Sequence, residues 1–209
     1  TVRDCTGYNY TTGVEMVGLR RGIEMGLVRG PRVLASGWVT PTGGHLDMGM
    51  PRSWPRQPGD TADGPAEVLK TTRKFIRNGV DVLKTATSGG GGGYDEEVWW
   101  RNYTIEELKV ISEEAHAYRK KVAVHAHTPE GIKRAILGGC DTVEHGTEVD
   151  DEVLELFHKS GAFLVPTLSV SSQRALAGRK KGGADAHILR KMEASIEKKE
   201  RNFRKAHEA

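Results

Sequence analysis

The chain has 209 residues, of which 37% are hydrophobic and 28% are charged, and its formal net charge is +3. This composition is typical of a soluble globular protein, and no stretch is apolar enough to span a membrane. Basic and acidic residues are interspersed, so nucleic-acid binding is not favoured. Cys5 and Cys140 form no CxxC pair, which argues against a disulfide framework and favours a reducing compartment, the cytoplasm.

Six short apolar runs alternate with helical patterns along the chain. The runs are rich in β-branched residues and bounded by Gly or charged residues, so strands are predicted over 1–5, 32–36, 80–84, 121–127, 140–146 and 162–168. Apolar spacing and capping residues predict helices over 14–25, 66–77, 104–119, 128–137 and 151–159, and a last one after a Gly/Lys/Arg linker. Strict alternation of this kind predicts parallel βα units, two strands short of a closed (β/α)8 barrel.

Two irregular stretches interrupt this alternation. Residues 37–65 are rich in Pro and Gly, and a loop of this length inside a domain is usually functional. Five glycines at 89–93 follow the third strand, which suggests phosphate binding. The Gly-Lys-Ser/Thr ending of a phosphate loop is missing, however, so a flexible lid is predicted instead.

Three polar residues close successive apolar runs: Lys84, His125 and His145. Because the carboxyl ends of parallel strands converge on one crevice, we expect these three side chains to meet. A lone strand-end His is more often a hydrogen-bonded structural residue than a ligand. Two on successive strands favour a metal site, since neutral imidazole suits zinc.

Lys84 strengthens that interpretation. An ammonium group at the end of an apolar strand is costly to bury, and desolvation lowers the pKa of lysine from about 10.4. A neutral amine can add carbon dioxide and become a carbamate, whose two oxygens could bridge two metal ions.

Other polar residues keep two interpretations. Arg52 and Arg56, in the irregular stretch, either grip a substrate carboxylate or are solvated loop charges. Asp4 either touches the site or forms an ion pair with Arg3 or another neighbour. Cys140 stands at the start of a strand, opposite the catalytic end, and is predicted to be structural.

The segments VLKTATSGG, VAVHAHTPEGI and TVEHGT, with TVRD, PRVLASG and TPTGGH before them, resemble the amidohydrolase superfamily. They are most similar to its metal-dependent group of prolidases, Xaa-Arg/Lys dipeptidases and imidazolonepropionase-like enzymes. The resemblance covers about residues 1–170. It implies an α/β fold, a distorted (β/α)8 TIM barrel of which residues 1–209 contain about six βα units.

The resemblance also implies a site with two divalent metals, usually zinc, bridged by hydroxide and by carboxylated Lys84. His125 and His145 match metal ligands, Lys84 is both ligand and catalytic residue, and His45 and His127 match substrate-binding positions. The family's HxH pair on the first strand and catalytic Asp on the eighth have no match here. With no initiator Met and an end inside a helical pattern, the chain is expected to be a fragment that is nearly inactive alone.

Three functional hypotheses follow. The first is a metal-dependent amidohydrolase that acts on dipeptides or N-acyl amino acids. The second is an imidazolonepropionase-like hydrolase of cyclic amides with one metal, which has no need of a bridging carbamate. The third is a non-catalytic α/β fragment. The expected partners are a small-molecule or dipeptide substrate and further copies in a homo-oligomer, with neither nucleic acid nor membrane.

Overall fold

The computed structural model describes residues 1–5, 14–48, 61–91 and 95–209. Within these residues the strands are β1 (Val2–Arg3), β2 (Val33–Leu34), β3 (Ser36–Trp38), β4 (Val82–Ala86), β5 (Lys121–Ala126), β6 (Thr142–His145) and β7 (Phe163–Val165). The helices are α1 (Val14–Glu24), α2 (His45–Met48), α3 (Gly64–Asn78), α4 (Ile105–Ala117), α5 (Pro129–Leu137), α6 (Asp151–Ser160), α7 (Gln173–Lys181) and α8 (Ala186–Glu208). None of the helices in these ranges is both long and apolar enough to cross a bilayer.

All strand pairs are parallel and follow chain order. Strands β3 to β7 form a five-stranded sheet, and β1 pairs with β2. The predicted strand 32–36 is divided at Ala35, because its carbonyl accepts the backbone N–H groups of Asp81 and Val82 and its own N–H donates to the Asp81 carboxylate. Residues 33–38 therefore pair with β1 through β2 and with β4 through β3.

The sheet is curved into an arc. Arg3 on β1 donates a hydrogen bond of 2.9 Å to Glu144 and one of 3.1 Å to Thr142, both on β6. In a flat sheet, four strand spacings of about 4.8 Å would place these strands about 19 Å apart, farther than an arginine side chain reaches. The strands must therefore wrap around a common interior, as in a partial (β/α)8 barrel.

Helices α3 to α6 pack against one another in chain order outside this arc. Their ends follow the local sequence: Thr104 and Glu107 form the predicted capping box of α4, and Asp150 caps α6. Gly79 ends α3 in a left-handed conformation (φ 89°). Buried side chains such as Val68, Leu108, Ile132, Val124 and Val143 fill the layer between helices and strands.

Three predicted boundaries were wrong. The strand predicted over 80–84 is β4 (Val82–Ala86), so Lys84 lies at the middle of the strand and not at its end. The linker predicted before the last helix contains α7, because the Ser172 side chain accepts the N–H of Ala175 and Leu176 is buried. In the irregular stretch 37–65, the short helix α2 presents His45 to the interior. Residues 49–60, with Arg52 and Arg56, lie outside the described residues.

Candidate active site

Four histidine rings cluster at the carboxyl ends of β5 and β6. The His125 ring stacks on His45 with centroids 3.8 Å apart, and meets His127 and His145 edge-on at 4.6 Å each. His127 and His145 are stacked at 5.0 Å. The predicted convergence of His125 and His145 is thus observed, and both predicted substrate-binding histidines belong to the same cluster.

The strand register and one left-handed residue explain how the rings of His125 and His145 face inward. Lys84 is paired with Ala123 and His125 with Glu144, so Lys84, His125 and Glu144 share one face of the sheet. Regular alternation would turn the next residue, His145, toward the helices. Its backbone instead adopts a left-handed conformation (φ 76°), which returns the ring to the interior. A non-glycine residue in this region is uncommon, and such strain concentrates at functional sites.

Lys84 is 2% exposed and holds its ammonium group among few polar partners. Its Nζ donates one hydrogen bond of 3.2 Å to the carbonyl of Thr85 and lies 4.9 Å from the centre of the Trp38 ring. Burial lowers the pKa of Lys84 to about 8. Trp38 Nε1 is itself a buried donor without a hydrogen-bond partner among the described residues. The neutral amine is therefore more populated at pH 7 than in an exposed lysine, although the ammonium form still predominates.

Each ring is oriented by a polar neighbour. His125 Nε2 lies 3.2 Å from the carbonyl oxygen of Gly89, and since a carbonyl only accepts, Nε2 carries the proton and Nδ1 keeps a lone pair. His45 Nδ1 likewise donates to the carboxylate of Glu96 at 2.9 Å. His145 Nδ1 lies 2.7 Å from Thr167 Oγ1, which leaves Nε2 for other contacts.

Three of the imidazoles are held neutral. Burial, reinforced by the neighbouring histidines, lowers the pKa of His125 well below its ordinary value, and burial does the same for His145. Burial and His45 lower the pKa of His127 to about 3. Neutral imidazole is the form that ligates metal.

These neutral histidines predict that metal-free protein loses stability in acid. The unfolded chain protonates histidine near pH 6.5 and the folded chain does not, so stability falls from about pH 6.5 toward pH 3, by up to about 1.4 kcal/mol per pH unit for each histidine. Urea unfolding of chelator-treated protein at pH 7, 5.5 and 4 measures this slope. His127→Gln should reduce the dependence of the free energy of unfolding on pH by the contribution of one histidine. An unchanged dependence would contradict neutral burial of His127.

The glycine run is packed rather than free to move at its start. Ser88, Gly89 and Gly90 are buried, and Gly90 N–H donates to Glu96 at 2.7 Å. A Cβ on Gly89 would lie 2.1 Å from the Glu97 carbonyl oxygen, and one on Gly90 would lie 2.1 Å from His45 Cε1. The predicted flexible lid is therefore wrong for these residues, where glycine allows close approach to the cluster. Positions 92–94 lie outside the described residues.

A cavity of about 600 Å³ opens onto the cluster. Its walls come from the strand ends, from the segment after the glycine run and from α8, and they include Trp38, Trp99, Thr147, Ser171 and Met192. Such a volume, with few polar groups converging at its floor, is typical of a small-molecule site.

The donor set fits one divalent ion only if Lys84 takes part. Across residues 1–5, 14–48, 61–91 and 95–209, no three His, Cys, Asp or Glu side chains form a group arranged to hold a metal. A catalytic zinc usually takes three protein ligands, and the carbamate of Lys84 would be the third beside His125 and His145. Their role as ligands, and that of His45 and His127 in substrate binding, remain predictions.

Two further predictions concerned Cys140 and the ion pair of Arg3 or Asp4. Cys140 is buried, with its Sγ 3.7 Å from Ser112 Oγ, as expected of a structural residue. Arg3 forms an ion pair with Glu144, and a carboxylate oxygen of Asp4 lies 3.5 Å from Ser36 Oγ.

Several residues around the site were not predicted: Glu96, Glu144, Thr147, Thr167 and Lys199. One of them had a detectable signal, because Lys199 continues the apolar stripe of α8 formed by Met192, Ile196 and Phe203. Glu96, Thr147 and Thr167 each contact a histidine that lies 20 or more positions away, and Glu144 pairs with Arg3 from the other end of the sheet, so no local pattern marks these contacts.

The sequence and fold match known proteins over most of the chain. The model of the amidohydrolase family matches residues 1–209. The chain is 35% identical over 185 residues to ochratoxinase from Aspergillus niger, covering 80% of this chain and 37% of that protein.

Solved structures are similar as well. A Xaa-Pro dipeptidase with methionine bound in its active site superposes with a TM-score of 0.85 at 32% identity, covering 95% of this chain and 50% of that one. A prolidase complexed with N-methylphosphonate-L-proline gives a TM-score of 0.84 at 31% identity over 98% and 50% of the two chains. The chain thus spans half the length of these solved relatives and 37% of the curated one.

Proposed function

Because the chain belongs to the amidohydrolase family, we propose that the full-length protein containing it hydrolyses an amide bond in dipeptides or N-acyl amino acids. One observation carries the proposal: the side chains of Lys84, His125 and His145, from three adjacent parallel strands, line the same cavity, and both histidines stand at the carboxyl ends of their strands. Catalytic residues of (β/α)8 enzymes occupy that end of the barrel.

The proposed cofactor is a divalent metal, with zinc as the ion to test and two ions in the complete site. His125 Nδ1 and His145 Nε2 are the nitrogens that the hydrogen bonds to Gly89 and Thr167 leave open. A bound divalent ion would polarise the scissile carbonyl and lower the pKa of its water from 15.7 to about 7. The chain itself contributes the neutral state and the fixed orientation of both rings.

Lys84 is proposed to act as a carbamate. Burial raises the share of neutral amine, and this form attacks carbon dioxide; an N–C bond forms and one proton leaves to solvent. The product carries two oxygens and a negative charge where the amine stood. That charge would be balanced by the metals, which removes the cost of an uncompensated buried group.

His45 and His127 are proposed to bind the substrate. Both line the cavity, and each has one ring nitrogen engaged, His45 with Glu96 at 2.9 Å and His127 with Thr147 at 2.7 Å. The opposite nitrogen of each ring is thereby directed to a fixed place beside His125. Two relatives bind methionine or an N-phosphonyl proline, and ligands of this kind support an amino-acid leaving group here.

The test is metal content and hydrolysis of the full-length protein expressed with zinc. We expect bound zinc, loss of activity on chelation, recovery on adding zinc, and turnover of members of a dipeptide and N-acyl amino acid panel. Protein that carries no metal and cleaves none of the panel would support a non-catalytic chain instead. Turnover confined to cyclic amides would support the imidazolonepropionase-like alternative.

A further inference from the structure

Lys199 on α8 is a buried cation that no carboxylate among the described residues neutralises. It is 1% exposed, and its Nζ donates to Thr167 Oγ1 and Ser171 Oγ at 3.1 Å each and to the Thr167 carbonyl at 3.4 Å. Among the described residues no Asp or Glu forms an ion pair with it, and burial lowers the pKa of Lys199 to about 8. Burying an ammonium group without an anion is unfavourable, and a bound anion would offset that cost.

The two hydroxyls that Lys199 contacts line the cavity. Since an ammonium group only donates, both hydroxyl oxygens accept from Lys199, and Ser171 keeps its own O–H hydrogen for another acceptor. In the described residues no acceptor within the protein takes that hydrogen. The cavity wall at Ser171 therefore offers a donor polarised by a positive charge behind it, an arrangement that suits an anion.

Thr167 is held in a strained conformation at the same place. Its φ is 46°, in the left-handed region that is unfavourable for a β-branched residue. Lys199 binds both its carbonyl and its hydroxyl, and His145 Nδ1 lies 2.7 Å from that hydroxyl. The strain keeps the hydroxyl between the buried cation and the histidine cluster.

Two other cations of α8 near the cavity differ from Lys199. Lys198 is half exposed and already pairs with Glu148 at 2.8 Å, and the Lys191 ammonium lies 3.7 Å from a carboxylate oxygen of Glu97. Lys199 is the buried cation of α8 whose contacts within the described residues are all neutral oxygens.

We propose that Lys199, acting through the hydroxyls of Thr167 and Ser171, forms the subsite for a free α-carboxylate of the substrate. The assignment rests on the proposed function, and it names the residues that would recognise the carboxylate shared by dipeptides and N-acyl amino acids. In such a substrate the carboxylate is two bonds from the scissile nitrogen, which matches a subsite one hydrogen bond away from His145. Internal peptide bonds, which lack this carboxylate, would be excluded.

The test compares L-leucine with L-leucinamide as calorimetric probes of the full-length, zinc-loaded protein, since they differ only in the carboxylate. We expect leucine to bind at least about 10-fold more tightly than leucinamide, and Lys199→Met to weaken leucine binding about 10–100-fold with little effect on leucinamide. Ser171→Ala should reduce the same preference in part. Lys205→Met, which removes a charge of α8 paired with Asp151, should keep it.

Equal binding of the two probes by wild type, or a preference that survives in both Lys199→Met and Ser171→Ala, would overturn the subsite. If Lys199→Met does not fold, Ser171→Ala decides. Hydrolysis is scored separately in the same preparations. If leucine binds more tightly than leucinamide but no substrate is turned over, the subsite stands and the proposed function fails. If substrates are turned over but both variants still prefer leucine as wild type does, the proposed function stands and the subsite fails.

Discussion

Lys84→Met is expected to stabilise the protein while abolishing its hydrolytic activity. The ammonium group is 2% exposed with one hydrogen bond to a carbonyl, so methionine of similar shape removes a buried charge and should raise the free energy of unfolding by about 1–3 kcal/mol. Loss of the carbamate ligand should lower kcat/KM by about 10³-fold or more, because several kcal/mol of stabilisation by metal are lost. Urea unfolding of chelator-treated protein and assays of zinc-loaded protein measure the two effects.

A matched control lies on the adjacent strand. Lys121 begins β5, its side chain is 71% exposed, and it pairs with Asp141 at 2.6 Å. Lys121→Met should change stability by no more than about 0.5 kcal/mol and leave the rate alone. A Lys84→Met protein that is less stable than wild type, or that retains both zinc and activity, would assign Lys84 a structural role.

Lys84 is thus expected to lower stability and to be required for activity, and a residue of this kind can be recognised in the sequence. A lysine that ends the run Val80-Asp81-Val82-Leu83 breaks the hydrophobic pattern, and such local conflicts mark functional sites. His125 was predicted in the same way. The bounds of β5, α5 and α6 were predicted closely because caps and apolar spacing depend only on residues near in sequence. Parallel order then brought the strand ends together without any knowledge of distant contacts.

What sequence could not supply are features that arise from contacts between distant segments. Regular alternation would have turned His145 outward, and only its left-handed backbone brings the ring to His125. The packing of Gly90 against His45 and Glu96 depends on segments far apart in the chain, so five consecutive glycines suggested a lid. The division of β2 from β3 depends likewise on Asp81, some 46 positions away.

The ion pair between Arg3 on β1 and Glu144 on β6 predicts the second large effect, a loss of stability. Arg3→Met should lower the free energy of unfolding by about 3 kcal/mol, since it leaves Glu144, whose side chain is 5% exposed, as a buried carboxylate without its cation. Thr142 Oγ1 still donates to Glu144 at 2.6 Å, and Arg3 is about one quarter exposed, which keeps the loss at the lower end of the range for buried pairs. Urea unfolding of the full-length protein at pH 7 measures it.

A double-mutant cycle distinguishes the lost ion pair from lost packing. Arg3→Met/Glu144→Met removes both charges and should recover most of the stability, because a buried ion pair can be replaced by apolar groups at little cost. Arg73→Met serves as the exposed comparison: Arg73 is 60% exposed beside Glu114, and its loss should cost less than about 1 kcal/mol. If Arg3→Met costs no more than Arg73→Met, the Arg3–Glu144 contact does not hold β1 to β6. The curvature that gathers the strand ends would then have to come from the packing of α3 to α6 alone.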